Sequence, residues 1–304
     1  MDYEKARRLI DNKIWTRDEL KRLRGKTARR RDQRISDTLK QIHTPYHKRP
    51  TPNSVHDPGT ILFDLTYDQE PMKAYIAAPF GNYVRRSGIT SVMGTFTLNQ
   101  RSGLILSLIK TLRYSFIDKA WYNALGLKNP GINAGLRKWD NDSRERIISI
   151  AAIEETDWSN LYNIIPSHVP LELNISCPNI TKFNGYIKDL HLFATRNPIV
   201  KLPPQILERE LRQLYNMGFR RFHSCNTLRT HKGARSGNIL KTFVSEQIMT
   251  LKDIDKNNFC IAGGGIEHYQ DIVYYQTIGA DAYSLGTVCF NPFKFRRLVN
   301  EITM

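Results

Sequence analysis

A short stretch, PLELNISCPN, places a thiol and two carboxamides at the end of a predicted strand. Apolar and polar residues alternate through LELNI, the period-two pattern of a β-strand, and Pro178 ends the strand because it has no N–H to donate. Asn174, Cys177 and Asn179 then lie at or just beyond the carboxyl end. In a barrel of parallel strands, that end is the catalytic face.

A lysine and two glycine turns follow later predicted strands. Lys201 ends the apolar run in IVKLPP, where an ammonium could stabilise negative charge on an electron-rich ring; the alternative is a solvated loop lysine. AGGGI contains Gly264 and Gly265, and about twenty residues further on LGT contains Gly286 and Thr287. Glycine lets backbone N–H groups approach a phosphate closely. A lone triplet is equally typical of a tight turn, but the paired turns favour a phosphate site.

The elements that must position these residues alternate between strand-like and helical segments from about Thr60 onward. This alternation predicts βα units around a parallel sheet, and eight strands in about 245 residues match a (β/α)8 TIM barrel. The predicted strands are Met72–Ala78, Ile89–Gly94, Arg146–Ala151, Leu171–Ser176, Pro198–Leu202, Phe219–Ser224, Asn258–Ala262 and Asp281–Leu285. The predicted helices are Gln205–Met217, Leu240–Asp253, Tyr269–Ile278 and Pro292–Ile302, with Gly218 and Gly279 stopping two of them.

The N-terminal residues 1–57 differ from the rest in charge. They hold sixteen Lys/Arg and eight Asp/Glu, so half of the net charge of +16 lies in under a fifth of the chain. A capping box at Thr16–Glu19 and a proline-rich stretch at Thr44–Gly59 predict a helical and extended basic arm. We therefore divide the chain into this arm, 1–57, and a barrel, 58–304. A solvated arm or an arm that binds an anionic partner such as nucleic acid are the two alternatives.

Composition limits the cellular context. No run of about 18 apolar residues occurs, so no membrane span is expected. The N-terminus has neither the apolar core nor the cleavage site of a secretory signal. The four cysteines, Cys177, Cys225, Cys260 and Cys289, are widely spaced, and the eight histidines show no metal-ligand spacing. Reduced thiols, a cytoplasmic location and no metal are the expectations, with the last three cysteines in the core.

Taken in order, ELNISCPN, IVKLPP, Asn226-Thr227, RSG, AGGGI and LGT resemble the dihydroorotate dehydrogenase family. Asn123–Gly131, NALGLKNPG, is similar to the family's N-x-x-G-L-x-N substrate loop. The resemblance runs from about Met72 to the end of the chain and implies a TIM barrel that binds FMN. In that family a base removes a proton from C5 of dihydroorotate, a hydride passes from C6 to flavin N5, and orotate is the product.

The resemblance also implies roles for individual residues. Cys177 matches the base of the soluble, class 1 branch, and Lys201 matches the lysine beside the flavin. The implied substrate contacts are Asn123, Gly126, Leu127, Asn174, Asn179, Asn226 and Thr227. The implied cofactor contacts are Asn174, Lys201, Gly237, Gly264, Gly265, Gly286 and Thr287.

Three departures from the family pattern separate this chain from its class 1 relatives. Gly94 stands where the family's T-K-x-x-T-L motif has a lysine that reaches substrate and FMN, and Arg85 or Arg86 are the nearby cations that could replace it. The segments after Asn179 and between Asn226 and Ser236 are short, and the first includes the substrate lid. The basic arm has no class 1 counterpart.

Three functions are therefore weighed. The first is FMN-dependent oxidation of dihydroorotate in pyrimidine biosynthesis. The second is a divergent flavoenzyme acting on another reduced pyrimidine or an enone-like substrate. The third is a nucleic-acid-binding protein with a relic barrel. Among partners, a small-molecule pyrimidine substrate is expected and a homodimer is left open. Fumarate, NAD through a partner subunit, and quinone are all open as electron acceptor, and no iron–sulfur spacing occurs in the chain.

Overall fold

A computed structural model describes residues 72–141, 146–175 and 189–303 of the chain. The strands are β1 (Lys73–Ile76), β2 (Ile89–Phe96), β3 (Arg113–Ser115), β4 (Ala120–Asn123), β5 (Arg146–Ile150), β6 (Leu171–Asn174), β7 (Ile199–Lys201), β8 (Arg221–Ser224), β9 (Leu228–Thr230), β10 (Gly233–Arg235), β11 (Phe259–Gly263) and β12 (Ala282–Leu285). The α-helices are α1 (Leu104–Thr111), α2 (Ile132–Asp140), α3 (Asp157–Ile164), α4 (Glu208–Asn216), α5 (Leu240–Ile254), α6 (Tyr269–Thr277) and α7 (Pro292–Thr303). Short 3-10 helices span Phe80–Asn82, Leu190–Arg196 and Thr287–Phe290.

Eight strands close into a parallel barrel. Around the barrel the order is β1, β2, β5, β6, β7, β8, β11, β12 and back to β1. Because all neighbours run parallel, their carboxyl ends meet at one face, where TIM barrels carry their sites. A buried cluster takes one residue from each of six strands: Tyr75, Val92, Ile147, Ile199, Ile261 and Ala282.

A second, smaller sheet stands outside the barrel. Its antiparallel strands are ordered β3, β4, β10, β9. Strand β4 comes from the segment after β2, and β9 and β10 come from the segment after β8, so the sheet joins two excursions that are distant in sequence. It holds the start of the predicted substrate loop, since Asn123 is the last residue of β4 and pairs with Ala234.

The predicted TIM barrel is confirmed. Each of the eight predicted strands coincides with one barrel strand, and the four predicted helices coincide with α4 to α7. Gly218 and Gly279 follow α4 and α6 with φ of +98° each, as expected of glycines that end helices. The sequence did not predict α1, α2, α3 or the small sheet. The basic arm and the boundary after residue 57 lie outside the described residues and stay predictions.

No helix within the described ranges is long and apolar enough to cross a bilayer.

Candidate active site

A cavity of about 940 Å³ opens at the carboxyl ends of the barrel strands. Such a volume suits a ligand of cofactor size, since binding clefts typically measure about 300–1,000 Å³. The predicted site residues that line it are Asn123, Leu127, Asn174, Lys201, Asn226, Thr227, Gly237, Gly264, Gly265, Gly286 and Thr287. Strand register explains part of this convergence, because Asn174 and Lys201 are paired last residues of the neighbouring strands β6 and β7.

Two predicted residues lie outside the described ranges: Cys177, the predicted base, and Asn179. Gly126 lies in the substrate loop, where its carbonyl oxygen accepts a hydrogen bond from Nε of Arg101 at 3.2 Å, but it does not line the cavity. The other three cysteines differ in their burial. Cys225 and Cys260 are buried as expected, whereas Cys289 is partly exposed and forms cavity wall. Burial raises the pKa of Cys225, which disfavours its thiolate.

The glycine turns after β11 and β12 border the same cavity. Gly264 and Gly265 have φ of +138° and +69°, and a Cβ on them would lie 2.9 Å from Leu240 Cβ and 2.7 Å from Lys241 Cγ. Side chains are therefore excluded at both positions, and the backbone forms the cavity surface. A Cβ on Gly286 would approach only Ala77 Cβ, at 4.0 Å, so its absence leaves open space.

A buried ionic cluster forms the floor of the cavity, and its centre is Glu172, a residue that the sequence analysis did not select. Glu172 is fully buried in β6. Its carboxylate accepts hydrogen bonds from Ser149 Oγ at 2.8 Å and from His223 Nδ1 at 2.7 Å. The ammonium of Lys201 lies 4.0 Å from Oε1 of Glu172. Three strands thus contribute one carboxylate, one ammonium and one imidazole to a single site.

The charge states of this cluster follow from its contacts. Burial alone would raise the pKa of Glu172, but the Lys201 ammonium and the hydrogen bonds from His223 and Ser149 hold it at about 2. Burial and the Lys201 charge lower the pKa of His223, against the opposing effect of Glu172. Glu172 is therefore ionised and His223 neutral at pH 7. Because an ionised carboxylate only accepts, Nδ1 of His223 carries the proton and Nε2 is left as an acceptor.

A directed hydrogen-bond chain leads from Glu172 to the cavity amides. Ser149 Oγ donates to Glu172, so its lone pairs accept from Thr95 Oγ1 at 3.0 Å. Thr95 Oγ1 in turn accepts from Asn174 Nδ2 at 3.0 Å, and Asn174 Oδ1 accepts from Asn226 Nδ2 at 3.3 Å. The acceptor-only carboxylate at one end fixes the direction of every donor along the chain. The network therefore sets which atom of each amide is oxygen and which is nitrogen.

The substrate loop is held by Asn129, a residue of the NALGLKNPG motif to which no role was assigned. Its Oδ1 accepts from the backbone N–H groups of Thr97 at 3.1 Å and Gly131 at 2.8 Å. Its Nδ2 donates to Thr97 Oγ1 at 2.9 Å and to the carbonyl of Leu127 at 2.7 Å. Leu127 has a φ of +55°, so these bonds hold a bend that brings it into the cavity wall.

Gly94, the position of the missing family lysine, lines the cavity at a kink in β2. Its φ is +100°, and the register between β2 and β5 shifts between Gly94 and Phe96. A Cβ here would lie 2.6 Å from the carbonyl oxygen of Ser149. Neither Arg85 nor Arg86 lines the cavity, whereas Lys128 and Lys138 do.

These features define a class of protein: a TIM barrel with a ligand site at its catalytic face and a phosphate-compatible pair of glycine turns. No family model matches the chain. The chain is similar to the "Dihydroorotate dehydrogenase B (NAD(+)), catalytic subunit" of Staphylococcus carnosus (strain TM300), at 27% identity over 229 residues, covering 64% of this chain and 74% of that protein. The Oceanobacillus iheyensis protein of the same description is 27% identical over 230 residues, covering 63% and 74%.

Solved structures agree at the level of the fold. The chain is similar to the crystal structure of DHODH in complex with ferulenol from Eimeria tenella, with a TM-score of 0.63 and 18% identity over 76% of this chain and 80% of that one. The resemblance predicted from the motifs is thus confirmed: the chain is similar to dihydroorotate dehydrogenases in sequence, at about 27% identity, and in fold. These similarities also confirm the prediction that the chain is a dihydroorotate dehydrogenase-like enzyme.

Proposed function

We propose that this protein is an FMN-dependent oxidoreductase that converts dihydroorotate to orotate. One observation carries the proposal: a single cavity is lined by Lys201, by the ordered amides Asn174 and Asn226, and by the glycine turns at Gly264 and Gly286. A cation and fixed amides can recognise a flat polar ring, and glycine turns suit the phosphate of its tail. The named activities of the bacterial relatives point to the same chemistry.

Two features of the cavity's own atoms support a bound FMN. Ser284 Oγ, in the cavity wall at the end of β12, is buried and has no hydrogen-bond partner within the described part of the chain. A buried hydroxyl without a partner calls for a ligand that supplies one. The second feature is the open space beside Gly286, which a side chain would fill. Bound FMN would supply the redox chemistry, accepting a hydride from C6 of the substrate.

The chain's own residues would orient the reactants and handle the proton. The hydrogen-bond chain from Glu172 presents Asn174 and Asn226 in one fixed orientation, which pre-organises them for a pyrimidine. Lys201 would supply positive charge to a ring bound in the cavity, and Glu172 pairs with that charge. We assign the proton from C5 to Sγ of Cys177, which stays a prediction from the sequence.

A second candidate is a flavoenzyme of the same scaffold acting on another reduced pyrimidine or an enone-like compound. The kinked backbone at Gly94 supports it, because the position admits no side chain and therefore no cation for a substrate carboxylate. Such a cation can contribute about 1.5–3 kcal/mol through a charge-assisted hydrogen bond. The nucleic-acid proposal depends on residues 1–57, outside the described ranges.

The test is an absorbance spectrum of the purified full chain, followed by anaerobic titration with dihydroorotate. The first candidate predicts a yellow protein whose absorbance near 450 nm bleaches on titration. Cys177→Ser should keep the flavin and slow bleaching by about 10²-fold or more. Cys260→Ser, at a buried cysteine that does not line the cavity, is the matched control and should bleach normally. Flavin that dithionite bleaches but dihydroorotate does not would favour the second candidate. A colourless protein that takes up no FMN would overturn both.

A further inference from the structure

An apolar surface lies on α1 and the hairpin that follows it. Six large apolar side chains within residues 105–117 are exposed: Ile105, Leu106, Ile109, Tyr114, Phe116 and Ile117. Phe116 and Ile117, at the turn between β3 and β4, are 85% and 96% exposed. No residue of α1 is buried. Folded proteins seldom leave so many apolar groups together in water unless they contact something. We call residues 104–119 the rim segment.

The rim segment borders the mouth of the cavity. Ile109 lines the cavity and is also 77% exposed, so the wall of the cavity continues onto the outer surface there. The segment is tied to the small sheet: Thr111 Oγ1 accepts from the N–H of Ala124 at 3.0 Å, and the Tyr114 ring lies 5.3 Å from that of Trp121. Its apolar side chains are thus presented by a structured element.

Basic residues predominate in the two segments that form this part of the surface. Residues 101–123 and 228–235, which contain the rim segment and the small sheet, hold seven basic residues and one acidic residue. The basic residues are Arg101, Lys110, Arg113, Lys119, Arg229, Lys232 and Arg235. The single acid, Asp118, lies 3.9 Å from Lys232 Nζ and 3.8 Å from an Arg235 nitrogen, so it offsets little of the surrounding charge.

We propose that the rim segment docks the protein on the surface of an anionic lipid bilayer. Apolar side chains flanked by Lys and Arg are the composition of interfacial membrane-binding elements, which bury their apolar face about 5–10 Å into the headgroup boundary. The basic residues complement anionic headgroups. Protein interfaces carry about one hydrogen bond per 100–200 Å², yet α1 offers few polar side chains, with Leu, Ile, Ser, Lys and Thr in LILSLIKT. Lipid accepts projecting apolar groups without needing matched pockets.

The proposal gives the cavity a defined orientation. Because Ile109 belongs to both the rim and the cavity wall, docking would turn the mouth of the cavity toward the bilayer. This inference goes beyond the proposed function and does not depend on it, since neither flavin nor substrate enters the argument.

The experiment is co-sedimentation of the full chain with vesicles of phosphatidylcholine alone or with 30% phosphatidylglycerol. We expect binding to the anionic vesicles, and a bound-to-free ratio at least tenfold lower for the double variant Phe116→Ser, Ile117→Ser. Ile164→Ser, an exposed apolar residue at the end of α3, is the matched control and should bind as the wild type does. The basic arm would also attract anionic lipid, so the comparison is repeated in 500 mM NaCl, where screening weakens exposed charges but not apolar insertion.

Two outcomes overturn the proposal. Equal binding of the double variant and the wild type at both salt concentrations would assign the lipid affinity to the basic arm. No binding of the wild type to either kind of vesicle would show that the rim segment does not bind lipid. A wild-type dimer in light scattering that the double variant loses, without vesicle binding, would identify the rim segment as a subunit interface. An unchanged far-UV circular dichroism spectrum and an unchanged urea midpoint of the double variant confirm that a loss of binding is not due to unfolding.

Discussion

Replacing Glu172 by glutamine tests the ionic cluster that underlies the site. Glutamine keeps nearly the same shape, and its oxygen can still accept from Ser149 Oγ or His223 Nδ1. The change therefore removes the negative charge and leaves Lys201, which is almost fully buried, without its carboxylate. We therefore expect Glu172→Gln to lower the free energy of unfolding of the barrel, whatever its effect on catalysis.

The size of the effect follows from the distance and the burial. At 4.0 Å and an effective dielectric constant of about 20, two unit charges attract with about 4 kcal/mol. Removing one partner of a buried pair costs about 3–5 kcal/mol, because the other charge stays desolvated. The glutamine retains hydrogen bonds, so we expect Glu172→Gln to lower the free energy of unfolding by about 3 kcal/mol.

Urea unfolding followed by tryptophan fluorescence measures this loss, with Lys201→Met and the double variant completing a cycle. If the two charges are paired, the double variant should lose less than the sum of the single variants, with a coupling of at least about 1.5 kcal/mol. Glu208→Gln is the matched control, because Glu208 pairs with Arg212 on the exposed surface of α4 and such pairs contribute about 0–1 kcal/mol.

The reasoning would be refuted by a Glu172→Gln variant that unfolds at the same urea concentration as Glu208→Gln. A coupling near zero in the cycle would also refute it, because it would mean that the ammonium and the carboxylate do not interact in the folded protein. A large loss with no coupling would assign the role of Glu172 to His223 and Ser149 alone.

Two further predictions concern pH and the substrate loop. The folded pKa of Glu172, about 2, lies below its ordinary 4.5, so its stabilisation of about 3 kcal/mol is complete above pH 4.5 and is lost as pH falls toward 2. Because the pKa of His223 is lowered in the folded protein, the free energy of unfolding also declines as the pH falls below 6.5, where only the unfolded chain binds the proton readily. His223→Asn should remove this decline when urea midpoints are measured from pH 8 to 4. Asn129→Ala should cost about 3 kcal/mol by thermal unfolding, because it leaves buried N–H groups of Thr97 and Gly131 without their acceptor; a change below about 1 kcal/mol would contradict the hub role.

The barrel could be predicted because its strands are short apolar runs, most of which are followed within a few residues by proline or glycine. Strands of a parallel barrel are buried on both faces, and β5 is buried at all five positions. The glycine turns could also be predicted, since few residues other than glycine suit the conformation at Gly264. These features depend on local sequence, and they are the ones that the structure reproduces.

Glu172 was missed for a physical reason. In a strand with one solvent-exposed face, a glutamate between two leucines is expected to point into solvent. In β6 it shares a face with Asn174, two residues on, because side chains alternate. The alternation that predicts Asn174 at the site therefore also predicts Glu172 on the same face, one layer beneath it. This two-residue spacing is the feature of the sequence from which Glu172 could have been found. Its partners Lys201 and His223 come from other strands, which no local pattern connects.

The small sheet and α1 were not predicted because their elements are too short to establish a periodic pattern. Strands β3, β9 and β10 have three residues each, too few to show alternation, and β4 pairs with β10 across more than a hundred residues. Helix α1 has only eight residues, so its apolar face, opposite Ser107, Lys110 and Thr111, repeats over barely two turns and gives a weak helical signal. Leu108 and Ile109 on this helix line the cavity, and Ile105 and Leu106 are exposed apolar side chains on the same helix.

The kink at Gly94 connects the fold to the choice of substrate. The side chain of Asn82 makes two hydrogen bonds to Gly94: Oδ1 accepts from the Gly94 N–H at 3.3 Å, and Nδ2 donates to the Gly94 carbonyl at 3.4 Å. Lys138 Nζ donates to the backbone carbonyl of Asn82 at 3.3 Å. Lys138 also lines the cavity, and burial together with Arg146 and Arg85 lowers its pKa. A cation therefore lines the cavity from helix α2, although Gly94 in strand β2 has no side chain. Because Lys201 is already paired with Glu172, a substrate carboxylate would find its cation in Lys138 or in Lys128, the other lysine that lines the cavity. A flavoenzyme that keeps dihydroorotate as its substrate would bind the carboxylate through one of these two lysines, and one that does not needs no cation there.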